Sequence, residues 1–333
     1  MIIDVHGHYT TTPPGLREYR RALLADPANA RPGGDLGISD DQVRESLERA
    51  QLKDQRERGI DRALFSPSAG GMAHHEGTEQ VSRYWAQACN GMIHRAVTLY
   101  PESFTGVCQL PQFPGVAPAN CIEELERCVN ELGFIGCNIN PDPSDGYWTD
   151  PPLTDRWWYP LYEKLVELDV PAMVHVSTSC NPNFNGIGAH YLNGDTTAFM
   201  QLLESKLFED FPTLRFIIPH GGGAVPYHWG RYRGIAERAG LRPPEQLMQN
   251  VSFDGCVYNV PGLELLIRTV GAGHVMFATE MYGTGQAIDP RTGRPFDDTS
   301  SYLKAIDLSE ADRRKIEHEN ALRVYPRLAK VVG

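Results

Sequence analysis

Short apolar runs alternate with polar loops and helical stretches along nearly all of the 333-residue chain, and no other property of the sequence narrows its fold so far. Such alternation predicts a parallel sheet covered by helices. The candidate strands are Met1–Val5, Ala63–Ser66, Phe104–Leu110, Phe134–Asn138, Ala172–Val176, Leu214–Pro219, Val251–Phe253 and Val275–Ala278. Between and after them, helices are expected over Asp41–Arg58, Thr78–Tyr100, Pro118–Leu132, Asp155–Leu168, Thr196–Phe211, Ala224–Ala239, Gly262–Val270 and Ala311–Leu328. Eight runs close a barrel better than they fill an open sheet. The expected fold is therefore α/β, a (β/α)8 TIM-type barrel forming a single domain over residues 1–333. Two segments, Thr10–Ser39 and Tyr282–Thr299, read as long loops at the C-terminal face, the first with one short helix at most.

A formal net charge of −11 argues against non-specific nucleic-acid or membrane binding, so an anionic substrate has to be attracted locally. The start, M-I-I-D-V-H-G-H-Y-T, lacks the basic head and apolar run of a secretory signal, and no later stretch is long and apolar enough to span a bilayer. The seven cysteines are odd in number, scattered and without a C-x-x-C pair. Reduced thiols in a cytoplasmic protein are the expectation.

Imidazoles and a carboxylate recur where the apolar runs end. His6 and His8 follow the first run as H-G-H, and residues two apart on an extended chain face the same way. Alone, such a pair also suits a structural or surface role. His175 ends P-A-M-V-H-V, His220 follows R-F-I-I-P, and Glu280 ends V-M-F-A-T-E. On a barrel these ends converge, which makes strand capping a poor account of all of them together. Three neutral imidazoles and a carboxylate, with no thiolate, suit zinc or manganese with a position open to water. Bound zinc brings the pKa of that water to about 7. His220, followed by Gly221–Gly223, fits better as an acid, base or electrophile beside the metal; the glycines serve either close approach to a ligand or a tight turn.

Through the motifs D-V-H-G-H, G-F-I-G-C-N-I-N (Gly133–Asn140), P-L-Y-E-K (Pro160–Lys164), M-V-H-V, F-P-T-L-R-F-I-I-P-H-G-G-G (Phe211–Gly223) and E-N-A-L-R-V-Y (Glu319–Tyr325), essentially the whole chain resembles the amidohydrolase superfamily. The branch is the one that includes aminocarboxymuconate-semialdehyde decarboxylase. The resemblance implies His6, His8 and His175 as metal ligands and His220 as the residue that handles a proton or polarises a carbonyl. Where many members carry Asp at the end of the last strand, this chain has Glu280, which either ligates the metal or activates its water. With H-G-H-Y-T and S-P-S-A-G (Ser66–Gly70), that Glu resembles the 4-oxalomesaconate hydratases of the branch. The implied activity is addition of water to a carboxylated muconate in protocatechuate 4,5-cleavage or gallate degradation. Non-oxidative decarboxylation of an aromatic or muconate-type acid is the alternative, and hydrolysis of a lactone or amide is a third reading. A homodimer is implied by the same likeness.

A small polycarboxylate needs donors, and the loops offer Ser66, Ser68, His75, Asn138, Ser179, Tyr191 and Arg231 as substrate contacts. Arginine is the best bidentate carboxylate partner. Arg231 and Arg233 point to different faces of one predicted helix, so at most one enters the pocket, and a solvated surface role is open to both. His74 and His75 sit in a loop where substrate contact and plain exposure are both open, and Cys180 is either a proton donor or an inert buried thiol.

Overall fold

The structure, a computed structural model, describes residues 1–34 and 36–332. Its strands are β1 (Ile3–Tyr9), β2 (Arg62–Pro67), β3 (Phe104–Gly106), β4 (Cys108–Gln109), β5 (Cys137–Ile139), β6 (Ala172–Val174), β7 (Phe216–Ile218), β8 (Val251–Asp254) and β9 (Val275–Met276). All neighbours pair in parallel, in the order β1-β2-β3 and β4-β5-β6-β7-β8-β9. β3 and β4 are one extended run interrupted at Val107, whose N–H still donates to the Phe65 carbonyl at 2.9 Å. The first and last strands also meet: Val5 N–H donates to the Phe277 carbonyl at 3.0 Å, and Glu280 N–H to the His6 carbonyl at 2.9 Å. The fold is a (β/α)8 barrel.

Strands buried on both faces read as continuous apolar runs, and here the two faces are separable. Phe65, Phe104, Val174, Phe216, Ile218 and Phe253 belong to the outer core beneath the helices. Ile3, Val5, Leu64, Val107, Ile135, Met173, Ile217, Met276 and Ala278 fill the barrel interior. The interior cluster also contains Ala321, Val324, Tyr325 and Leu328 from the C-terminal helical region, which packs with the strands from the face opposite the site. A Cβ at Gly136 would stand 2.9 Å from the Tyr325 ring, so glycine there makes room for this plug.

Side-chain parity then determines what reaches the mouth. Met173 points inward, and so two residues on does His175; Met276 and Ala278 point inward, and Glu280 continues that alternation. β1 breaks the rule. Ile3 and Val5 point inward, which on a regular strand would send His6 and His8 outward. The β1–β2 register slips between Asp4 and Gly7: Asp4 pairs with Ala63 but Gly7 with Phe65, leaving one extra residue in β1. This bulge reverses the parity and turns both imidazoles into the barrel.

Several element boundaries differ from expectation. β1 runs on to Tyr9. The helix expected over Asp41–Arg58 is two, Asp40–Glu48 and Gln51–Arg58, broken at Ala50 (φ −130°, ψ −103°). The presumed loop Thr10–Ser39 holds a twelve-residue helix, Pro14–Ala25, opened by proline at its first turn; residue 35 of that segment lies outside the described residues. The helix expected from Thr196 starts at Ala189 and ends at Leu203. Among the described residues no helix is long and apolar enough to cross a membrane.

Candidate active site

Three imidazole nitrogens converge inside the barrel mouth. His6 Nε2 lies 2.8 Å from His175 Nε2 and 3.1 Å from His8 Nε2, and His8 Nε2 lies 3.1 Å from His175 Nε2. The opposite nitrogens are occupied: His6 Nδ1 by Asp254 Oδ2 at 2.7 Å, His8 Nδ1 by Ser66 Oγ at 2.8 Å, and His175 Nδ1 by the Val176 carbonyl at 2.9 Å. A carboxylate and a carbonyl only accept, so Nδ1 of His6 and His175 carries the hydrogen and Nε2 presents a lone pair. Lone pairs aimed at one buried point repel unless a cation lies between them. Metal–nitrogen bonds of about 2.0–2.1 Å place neighbouring ligand nitrogens about 2.8–3.4 Å apart, from right to tetrahedral angles, and the triangle falls at the short end of that range. Burial drives the His8 imidazole down to about 3. Burial, reinforced by His6 and His8, holds His175 well below its ordinary range. Both are thus kept in the neutral form that binds metals.

Glu280 and His220 stand beside this triangle, with His220 Nε2 3.7 Å from Glu280 Oε2. One ligand atom each from His6, His175, His220 and Glu280 lies within 4.8 Å of all the others. Burial alone would raise the Glu280 carboxyl, but His220, His6 and His8 outweigh it and hold the group well below the usual carboxylate range. Burial opposes the His220 cation too, yet Asp195, bonded to Nδ1 at 2.9 Å, and Glu280 on the other side raise it well above its ordinary value. Tyr258 Oη reaches the Thr279 carbonyl at 2.9 Å and Glu280 Oε2 at 3.3 Å. His220 (φ 53°), Tyr258 (φ 60°) and Glu280 (φ 49°) all occupy the left-handed region, a strain of about 1–3 kcal/mol each that the surrounding packing sustains.

Two acids that the sequence reading passed over complete the centre. Asp254, fully buried at the end of β8, binds His6 and accepts from the backbone of Cys256 at 3.1 Å. It ends V-S-F-D, so the rule that found Glu280 would have found it. Asp195 lies inside the helix Ala189–Leu203 and carries no such signal. Neighbouring Gly194 brings it there: a Cβ at that position would stand 2.4 Å from Val176, so only glycine lets the helix press onto the strand end beside His175.

A cavity of about 220 Å³ opens above the centre, lined in part by Ser68, Ser177, Thr178, Tyr191, Tyr282 and Thr284. His8, His175, His220 and Glu280 form its floor. The Tyr191 ring lies 4.5 Å from that of His220, and its hydroxyl is 3.3 Å from Thr284 Oγ1. Of the expected substrate contacts, Ser68 and Tyr191 face this cavity. Ser66 and Asn138 are buried behind it, Asn138 Nδ2 donating to Ser66 Oγ at 3.1 Å and Ser66 supporting His8. His75 and Ser179 lie off the cavity, beside Asp145. Arg231 is exposed on the helix Trp229–Ala239, and no lysine or arginine is among the described residues lining the cavity. Gly221–Gly223 form a tight turn: all three have positive φ, and a Cβ at Gly223 would stand 2.3 Å from the Leu192 carbonyl.

The amidohydrolase family model matches residues 3–327. The chain is 55% identical over 332 residues to a 2-keto-4-carboxy-3-hexenedioate hydratase from a Sphingobium species, covering 98% of this chain and 97% of the relative. It is similar to the crystal structure of a 4-oxalomesaconate hydratase from Rhodopseudomonas palustris, with a TM-score of 0.92, 49% identity, and coverage of 100% of this chain and 98% of the other. A gamma-resorcylate decarboxylase from a Rhizobium species is 29% identical over 263 residues, covering 72% of this chain and 75% of the relative.

Proposed function

The chain belongs to the amidohydrolase family, and on that premise we propose that it acts, as one barrel domain, as a hydro-lyase converting 4-oxalomesaconate to 4-carboxy-4-hydroxy-2-oxoadipate in protocatechuate or gallate degradation. The observation that carries this reading is full-length likeness to a hydratase at 55% identity, against 29% over 72% of the chain for the decarboxylase. His6, His8 and His175 are assigned as ligands of zinc, with manganese as the alternative, and Glu280 as a fourth ligand or the base beside it. Such a cation, when bound, lowers the pKa of a coordinated water and polarises substrate oxygen.

Hydration of an alkene forms one C–O bond and one C–H bond and releases no carbon. The residues therefore have two proton tasks. In this proposal Glu280, held ionised, takes the proton that water gives up as the C–O bond forms. His220, held cationic by Asp195, then donates to the enolate that develops across the former double bond. With no lysine or arginine among the described residues of the wall, hydroxyls of the lining, among them Ser68, Ser177, Thr178, Tyr191 and Thr284, meet the substrate carboxylates beside the His220 cation. The reading also includes a cytoplasmic setting, supported by seven unpaired cysteines, and a homodimer, which light scattering would test.

The deciding experiment supplies zinc-loaded protein with fresh 4-oxalomesaconate and follows conjugated absorbance and evolved CO2 in one vessel. Loss of absorbance without CO2 is expected. CO2 released in step with that loss would make the enzyme a decarboxylase, and no change would remove the substrate assignment.

A further inference from the structure

Three rim loops meet beside the substrate cavity, and one side chain of each, none of them lining it, turns toward the other two. His75 comes from the loop after β2, Asp145 from the loop after β5 and Cys180 from the loop after β6. One ligand atom from each lies within 4.8 Å of the other two. His75 Nδ1 is buried and has no hydrogen-bond partner, although it faces Asp145 Oδ2 at 3.8 Å, too far for a hydrogen bond. Asp145 itself is firmly held. Its backbone is left-handed (φ 59°), its carbonyl accepts the Cys180 N–H at 3.0 Å, and its Oδ1 accepts from Thr178 Oγ1 at 3.2 Å. Those bonds leave Oδ2 as the oxygen turned toward His75, with the exposed Cys180 thiol next to both.

We propose that His75, Asp145 and Cys180 form a second metal site, separate from the catalytic triangle, that takes one zinc ion. An imidazole, a carboxylate and a thiolate are the donors zinc accepts together, whereas calcium and magnesium require oxygen alone. Zinc–ligand bonds of about 2.0–2.3 Å require the three atoms to close by about 1 Å, within reach of side-chain adjustment on a rim. Three protein ligands leave the fourth position to water. The ion acts as a staple: it joins three loops, and Ser177, Thr178 and Gly186 of the Cys180 loop line the substrate cavity, with the Gly186 carbonyl bonded to Ser179 N–H at 3.1 Å. Occupancy stiffens that wall, and His75 serves it as a ligand instead of touching substrate.

Cobalt(II) is the probe, added alone to the metal-free full-length protein. The wild type should bind two equivalents, one of which brings a near-ultraviolet thiolate-to-cobalt charge-transfer band. The triangle of His6, His8 and His175 has no thiolate and gives no such band. Cys180→Ser should abolish the band and one equivalent, and His75→Gln should weaken that equivalent by at least about tenfold, with circular dichroism unchanged. A single equivalent in the wild type overturns the proposal. So does a band that survives in Cys180→Ser, which would place the thiolate at Cys256, 3.7 Å from His6 Nδ1.

Discussion

At the scale of single residues, the centre is organised by what stands behind each imidazole. Asp254 and Asp195 are both fully buried and both fix a ring, yet they do different things. Asp254 turns the His6 lone pair toward the proposed metal position, while Asp195 sustains charge on His220 between two carboxylates. Asp195→Asn keeps the shape and removes the charge, so kcat should fall by about 10²-fold or more with KM changed less than about threefold. Steady-state hydration kinetics check this; a variant with wild-type kcat would remove Asp195 from the proton path. The strand-end residues His175, His220 and Glu280 were legible because a parallel barrel delivers strand ends to one mouth. Asp195 was not, because a buried acid within a helix looks like any other acid until the helix is docked.

Elements decide which way these residues face. The extra residue in β1 lies between Asp4 and Gly7, and without it the inward parity of Ile3 and Val5 would leave His6 and His8 outside the barrel. The sequence shows that the two imidazoles share a face, and it does not show which face. The turn after β7 is equally demanding. Gly223 has φ 60°, and a Cβ there would meet both the Leu192 carbonyl at 2.3 Å and Thr196 Oγ1 at 2.7 Å. Gly223→Ala should therefore cost on the order of 3 kcal/mol, from left-handed strain plus overpacking. Because the same turn carries His220, kcat should fall with it. Urea denaturation and kinetics on one preparation check both, and a fully stable variant would show that the turn relaxes freely. Helix boundaries were the least legible part: Ala189–Leu203 begins seven residues before its expected start at Thr196, since its position follows from Gly194 packing on Val176 and not from its own periodicity.

For the molecule as a whole, the barrel has two ends with separate duties. The face opposite the site is closed by Tyr325 and its neighbours, so Tyr325→Ala should lose about 3–5 kcal/mol of stability while KM stays unchanged. Chemical denaturation beside substrate titration measures the pair; a large KM change would mean the two ends are coupled. At the other end, chelation should remove activity and lower the melting temperature, because the converging imidazoles lose the cation that reconciles them. Restored zinc at a hundredfold excess over its Kd returns about 2.7 kcal/mol. A melting temperature indifferent to chelator would contradict the assigned ligand set. The (β/α)8 barrel and the strand ends that carry imidazole or carboxylate were determined by the sequence itself, since hydrophobic period and chain order are local properties. Which face His6 and His8 take, and which acids stand behind the rings, only the tertiary structure decided. A one-residue bulge and a helix seated on a strand are set by contacts between distant residues, 248 positions apart for His6 and Asp254.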